Sequence, residues 1–205
     1  MTDKRQCGPR SVAAVAAAAV AGGVTMVQVR EKEAPARELL QLLMAVAESV
    51  GDRVPVLVDD RVDIFLAARA AGAQVAGVHI GQSDLPVELA RTLVGPEAII
   101  GLSAATDNEI RAVHRLPEGT VDYLGVGAIH ATATKADHPE PMGIDGFGTL
   151  ITASSLPCVA IGGISSADVR PLRDAGAAGV AVVSAVCAAD DPRAAAQKLK
   201  EEWCS

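Results

Sequence analysis

Val24-Thr25-Met26-Val27-Gln28-Val29-Arg30-Glu31-Lys32 begins as an apolar run and ends in charge. Alternate residues of a strand share one face, so Gln28, Arg30 and Lys32 point the same way. An amide, a guanidinium and an ammonium therefore leave the end of a strand that is otherwise core. Two cations aimed into a fold need an anionic partner, because an unpaired buried charge is costly. The sequence offers that partner only through a ligand, which makes the strand end an anion site. Arg suits bidentate contact with phosphate oxygens, Lys supplies a point charge, and Gln28 bonds a neutral group deeper in. The bland alternative is a strand whose end snorkels into solvent. Three polar groups on one face exceed what solubility requires.

Six further β-like runs follow this one. The seven strands are predicted at 25–29, 54–58, 77–80, 99–103, 123–126, 158–161 and 179–183. Helical spacing marks 11–21, 35–50, 62–71, 86–94, 107–115, 147–154, 167–175 and 192–203. Ser11 and Asp107 suit N-caps, and Pro86 and Pro192 suit a first helical turn. Ala21-Gly22, Ala71-Gly72 and Ala175-Gly176 each end a helix just before a strand, with Gly placed at C′. The strands are continuous apolar runs, as in a parallel sheet covered on both faces. Repeated βα units leave a doubly wound sheet or a closed barrel. Polar residues at the end of nearly every strand favour the barrel, whose mouth gathers all strand ends. The expected fold is α/β, a (β/α)8 TIM barrel forming one domain over residues 1–205. Its first strand is missing or truncated, because Met1-Thr2-Asp3-Lys4 supplies no apolar run, and that gap leaves two bare sheet edges.

Composition narrows the class. Half of the 205 residues are hydrophobic, ample for a large core, and aromatics make up 2%. Few aromatics and a net charge of −7 argue against nucleic acid as a partner. A small phosphorylated ligand held by a local cationic pocket stays open. Cys7, Cys158, Cys187 and Cys204 are widely spaced, which fits a reducing compartment and no zinc site. The alanine-rich run 12–20 is interrupted by Gly22 and Gly23 too soon to cross a bilayer. A soluble cytoplasmic protein is expected, with no membrane partner and an open oligomeric state.

Other strand ends carry matching chemistry. Asp60, in Asp59-Asp60-Arg61, and Asp84, in Val78-His79-Ile80-Gly81-Gln82-Ser83-Asp84, leave neighbouring strands. Carboxylates so placed hold a hard cation such as Mg²⁺, which takes one or two of them with waters and substrate phosphates. Their bland alternative is helix capping before the helices at 62 and 86. Thr132, Thr134 and Lys135 suit an oxyanion, and the Pro/Gly-rich loop after them suits a lid. Ile161-Gly162-Gly163-Ile164 and Val182-Val183-Ser184-Ala185 end the last two strands, where barrels bind phosphate through backbone N–H groups. His79 and His114 read as structural or exposed, Trp203 as helix packing. No Ser/His or Cys/His pair stands out. Two anion pockets result: a cationic one with a metal pair, suited to a diphosphate, and a neutral backbone one, suited to a monophosphate.

In combination these motifs, with Gly101-Leu102-Ser103-Ala104, resemble the thiamine phosphate synthase family of (β/α)8-barrel transferases over nearly the whole chain. The resemblance implies that hydroxymethylpyrimidine diphosphate binds along Gln28, Arg30 and Lys32, beside Asp59, with Mg²⁺ on Asp60 and Asp84. It implies that Ser103 and Lys135 contact the pyrimidine substrate or leaving diphosphate. Arg30, Lys32, Ser103 and Lys135 are thereby the catalytic set. Thr132 and Thr134, with Gly163, Val183 and Ser184, bind the thiazole phosphate. In such enzymes the C–O bond breaks first, giving a pyrimidine carbocation that the thiazole nitrogen attacks. Three departures stand out. Asp59 replaces a usual Asn, and its charge repels a diphosphate unless a metal offsets it. Ala128 and His130 replace a usual Pro and an aromatic residue. The first strand is absent. Two alternatives stay open: a thiazole phosphate tautomerase-like barrel, and a degenerate barrel that binds thiamine precursors without catalysis.

Overall fold

In the computed structural model, residues 1–131 and 140–205 are described. Seven strands form one sheet: β1 (Val27–Val29), β2 (Val56–Asp59), β3 (Gly77–Ile80), β4 (Ile99–Ala104), β5 (Tyr123–Val126), β6 (Cys158–Ile161) and β7 (Gly179–Ala181). They lie in chain order, every neighbouring pair is parallel, and the sheet curls as a TIM-like barrel lacking a strand does. The nine helices among the described residues are α1 (Val12–Ala21), α2 (Ala36–Val50), α3 (Val62–Ala70), α4 (Val87–Val94), α5 (Asp107–Val113), α6 (Gly143–Ile151), α7 (Ser166–Asp174), α8 (Ser184–Cys187) and α9 (Pro192–Cys204). Strands β1 to β3 are buried at every position, as the unbroken apolar runs require of a sheet covered on both faces. Helix faces supply the cover: Leu39 and Leu43 from α2, Phe65 from α3, Phe147 from α6 and Leu172 from α7 are all within the core.

The place of the absent strand is partly taken. The Thr2 N–H donates to Gln28 O at 2.8 Å, and the Arg30 N–H donates to Thr2 Oγ1 at 3.1 Å. On the other side the Met1 nitrogen donates to Val182 O at 3.1 Å. The first two residues thus bond to both flanking segments, which corrects the expectation of two bare edges: backbone hydrogen bonds need no apolar run.

Element ends show where local chemistry was misjudged. Ser11 caps α1, its side chain accepting from the Ala14 N–H. At α5 the cap is Thr106, not Asp107. Thr106 has Glu109 three residues on, and the two close a reciprocal capping box. Pro192 opens α9 as expected, whereas Pro86 is the cap residue of α4. Gly72 and Gly176 take the left-handed conformation, but after α1 it is Gly23, at φ 107°, that does so. Gly22 keeps helical geometry, and a side chain there would overlap the Arg193 carbonyl and Ala196 of α9. Its role is close helix packing. Helix α6 starts at Gly143 rather than 147, because the Met142 and Gly143 N–H groups bond the carbonyls of Ala128 and Ile129. Helix α8 was hidden inside a run that reads as strand end. Among the described residues no helix is long and apolar enough to cross a membrane.

Candidate active site

The carboxyl ends of the strands surround a cleft of about 380 Å³. Gln28, Arg30 and Lys32 reach it from the end of β1, and Asp59 and Asp60 from the end of β2. Asp84 comes from the loop before α4, and Ser103 from β4. Gly163, Val183 and Ser184 line the opposite side. Thr132, Thr134 and Lys135 lie outside the described residues.

Arg30 does not wait for a ligand to find its anion. Its Nε lies 3.1 Å from Asp59 Oδ2, and both side chains are about nine-tenths buried. The expectation that only a ligand offers the partner is therefore corrected. Gln28 Nε2 donates to the other carboxylate oxygen, Oδ1. Burial pushes the Asp59 carboxyl up to about 7, with the neighbouring Asp60 charge adding to the rise and Arg30 opposing it. Lys32 lines the same cleft, and its charge opposes the rise at both Asp59 and Asp60.

Asp60 stands at φ 62°, an unusual conformation for a residue with a side chain, fixed by its N–H bonding His79 O at 2.7 Å. Neither Asp59 nor Asp60 caps a helix: α3 starts after Arg61 and has no side-chain cap bond. Asp84 does not cap α4 either; its Oδ2 accepts from the Gly81 N–H at 2.7 Å. The capping alternative fails for all three. Instead the carboxyl groups of Asp60 and Asp84 meet. Burial raises the Asp60 pKa, and the hydrogen bond and charge of Asp84 raise it further. Two carboxylates pressed together favour a proton or a cation between them. Among the described residues no cluster of three or more His, Cys, Asp or Glu side chains is placed for a metal. The donor set is thus two carboxylates, few enough to suit a Mg²⁺ ion that keeps waters and ligand oxygens.

His79, expected to be structural or exposed, is buried. Its ring lies in the cleft wall, with Nδ1 3.0 Å from the Tyr123 hydroxyl and Nε2 3.0 Å from Ser103 Oγ. A Ser/His contact therefore exists, contrary to expectation. Its outer partner is a phenol held well above its ordinary pKa by burial, in place of the carboxylate of a nucleophilic triad. The legible signal was glycine inside strands: a side chain at Gly101 or Gly125 would overlap the His79 ring. Gln82, also missed as a partner, donates to Ser103 O at 2.6 Å.

At the far side Gly162 and Gly163 have φ 106° and 65°, and a side chain on either would overlap residues 128–131. The His130 N–H donates to Gly162 O at 3.0 Å, and its Nε2 lies 2.9 Å from Asp168 Oδ1. Asp168 sits below the usual carboxylate range. Its burial works the other way, and hydrogen bonds from Ser165 and His130 outweigh it.

A parallel α/β sheet whose strand ends gather two cations, paired carboxylates and a glycine loop defines an enzyme scaffold for phosphorylated small molecules. A family model described as thiamine monophosphate synthase matches residues 1–186. The chain belongs to that family. It is 48% identical over 185 residues to a thiamine-phosphate synthase of Corynebacterium efficiens, covering 90% of this chain and 85% of that protein. It is 43% identical over 199 residues to one from a Psychrobacter species, covering 97% and 91%. The solved structure of a thiamine phosphate pyrophosphorylase from Pyrococcus furiosus superposes with a TM-score of 0.84 at 32% identity, over 98% of this chain and 92% of that one.

Proposed function

We propose that the cleft couples hydroxymethylpyrimidine diphosphate to hydroxyethylthiazole phosphate, giving thiamine phosphate and diphosphate. The chain is a thiamine phosphate synthase-type transferase that releases diphosphate. The observation that carries the substrate assignment is the opening of Arg30, Lys32, Asp60 and Asp84 onto one cleft, with the Gly162-Gly163 loop facing them. The same proposal takes the curled sheet as a (β/α)8 barrel, with residues 1–2 in place of its first strand.

Asp60 and Asp84 would hold Mg²⁺, which when bound neutralises charge on the diphosphate. Lys32 and the outer face of the Arg30 guanidinium bind the diphosphate and stabilise the charge that grows as it leaves. Gln28 orients the pyrimidine. Ser103, its hydroxyl oriented by His79, lies beside the reacting carbon or the departing oxygen. The backbone of Gly163, Val183 and Ser184 holds the thiazole phosphate; Thr132, Thr134 and Lys135, which lie outside the described residues, are assigned to the same substrates by the family resemblance alone. Under this proposal the C–O bond breaks before the C–N bond forms, so the residues position charge and exclude water; none attacks carbon. Cleft burial favours that route over hydrolysis. Behind Ser103, the Nδ1 of His79 meets the Tyr123 hydroxyl at 3.0 Å, a weak base partner for a serine nucleophile, which supports a reaction without a covalent enzyme intermediate.

The experiment is formation of thiamine phosphate from the two phosphorylated precursors by purified protein, with Mg²⁺ and with chelator. Product in the first arm alone supports the proposal. No product in either arm, or equal product in both, contradicts it.

A further inference from the structure

Gly162, Gly163 and Ile164, in the turn after β6, line the backbone end of the cleft. Glycine gives up more conformational freedom on ordering than any other residue, so two in succession keep one shape only where bonds impose it. Here the bonds close a ring. At the start of the turn the His130 N–H donates to Gly162 O at 3.0 Å. At its end the Ser165 N–H and hydroxyl donate to Asp168 Oδ2 at 2.8 and 2.7 Å. Two side chains join start to end: His130 Nε2 lies 2.9 Å from Asp168 Oδ1. An ionised carboxylate only accepts, so Nε2 carries the hydrogen of that bond. Neither side chain lines the cleft itself.

We infer that His130 and Asp168 are a positioning pair: their bridge holds the Gly162-Gly163 turn in the shape that receives the phosphate of the second substrate. The pair acts through the turn. Backbone N–H groups bind an anion best where they already point together, because binding then costs no further ordering. With the bridge cut, the Gly162 end of the turn keeps only its main-chain bond to a segment that nothing ties to Asp168. The coupling from that segment to the glycines is short: a Cβ added at Gly163 would lie 2.8 Å from His130 Cβ, so a shift of His130 is felt at Gly163 directly. A phenyl ring at position 130 would fill similar space and offer Asp168 no donor. The inference rests on the reading of this turn as the thiazole phosphate site and adds to it the two side chains that set its shape.

The test is steady-state kinetics with each substrate varied in turn, on wild type, His130→Phe and His130→Gln. His130→Phe keeps an aromatic ring and loses the donor. It should raise the KM for thiazole phosphate by roughly threefold to tenfold, the worth of one half-exposed hydrogen bond to a charged partner, and leave the KM for the pyrimidine diphosphate nearly unchanged. His130→Gln places an amide nitrogen the same number of bonds from Cα as the imidazole Nε2, and should restore the wild-type KM. Asp168→Ala should raise the same KM, and adding His130→Phe to it should change little more, because the two residues form one link. Asp168 also bonds Ser165 at the start of α7, so should Asp168→Ala fold poorly, the two His130 variants decide the matter alone. A merely structural role would move both KM values together or leave Gln no better than Phe, and either result overturns the inference. An unchanged KM in His130→Phe overturns it as well. If the wild type forms thiamine phosphate and any of those results is found, this inference alone falls. If it forms none, the functional proposal falls and takes the inference with it.

Discussion

Asp59 shows how one charge sets the properties of a site. A carboxyl raised from 3.8 to about 7 is less favourable to the fold once ionised. Below the unfolded value both states are protonated and nothing is lost. As pH climbs through 3.8 toward about 7 the native state is progressively disfavoured relative to the chain with a neutral side chain. Asp59→Asn should therefore melt at nearly the wild-type temperature at the acid end of that window and above it at the alkaline end. Thermal melts across the range check this; a gap that shrinks with rising pH contradicts it. The loss of one carboxylate from the proposed metal pair has a different signature. Asp84→Ala should reduce coupling at low Mg²⁺ by roughly tenfold or more and raise the Mg²⁺ concentration needed for half-maximal rate, as read in initial rates. Unchanged Mg²⁺ dependence would remove Asp84 from the metal. At this scale every candidate residue among the described ones lines the cleft, but little of their wiring was legible. Alternate spacing put Gln28, Arg30 and Lys32 together. The partnership of Arg30 with Asp59 is a contact between adjacent strands, and register between strands is not written in either strand alone.

The two ends of the cleft are made by different kinds of element. The end proposed for the diphosphate is made of side chains at strand ends. The opposite end is made of backbone: the Gly162-Gly163 turn after β6 and the start of α8 after β7. Gly163→Ala places a methyl group against His130 and the Ala131 carbonyl and forces a left-handed conformation on a residue with a side chain. It should raise the KM for thiazole phosphate severalfold while changing the KM for the pyrimidine diphosphate far less. Steady-state kinetics with each substrate varied in turn separates the two, and equal changes would place the glycines outside the phosphate site. The strands were readable to within a few residues because each is a run too apolar for any place but a buried sheet. The start of α6 and the whole of α8 were not. Gly143-Ile144-Asp145-Gly146 has poor helix formers, and its first turn is held by bonds to the Ala128 and Ile129 carbonyls, contacts between segments distant in sequence. The exchange of caps at Thr106 and Asp107 was available from the Glu109 three residues beyond the first.

For the molecule as a whole, the seven parallel strands deliver their polar ends to one side, so ligand binding there is linked to the stability of the entire sheet. Mg²⁺ and inorganic diphosphate added together, at about a hundred times their joint dissociation constant, should raise the melting temperature by roughly 5–10 °C, and either alone by much less. Differential scanning of the same sample under the four conditions checks it; equal shifts from each component alone would mean that they bind apart. The (β/α)-repeat was legible from the order of apolar runs and helical spacings. The bonding of Thr2 and Met1 to the segments beside β1 and after β7 was not, because backbone pairing by so short a stretch leaves no pattern in side chains. The proposed reaction depends on convergence of the β1 cations and the carboxylates of the next two strand ends on one metal-bound diphosphate. Its most direct test is the Mg²⁺ dependence of the initial rate of thiamine phosphate formation, measured on wild type and Asp60→Ala side by side. The wild type should show a saturable Mg²⁺ requirement, and the variant a rate roughly tenfold or more lower with a weaker Mg²⁺ response; identical Mg²⁺ curves for the two proteins would exclude a metal held by Asp60.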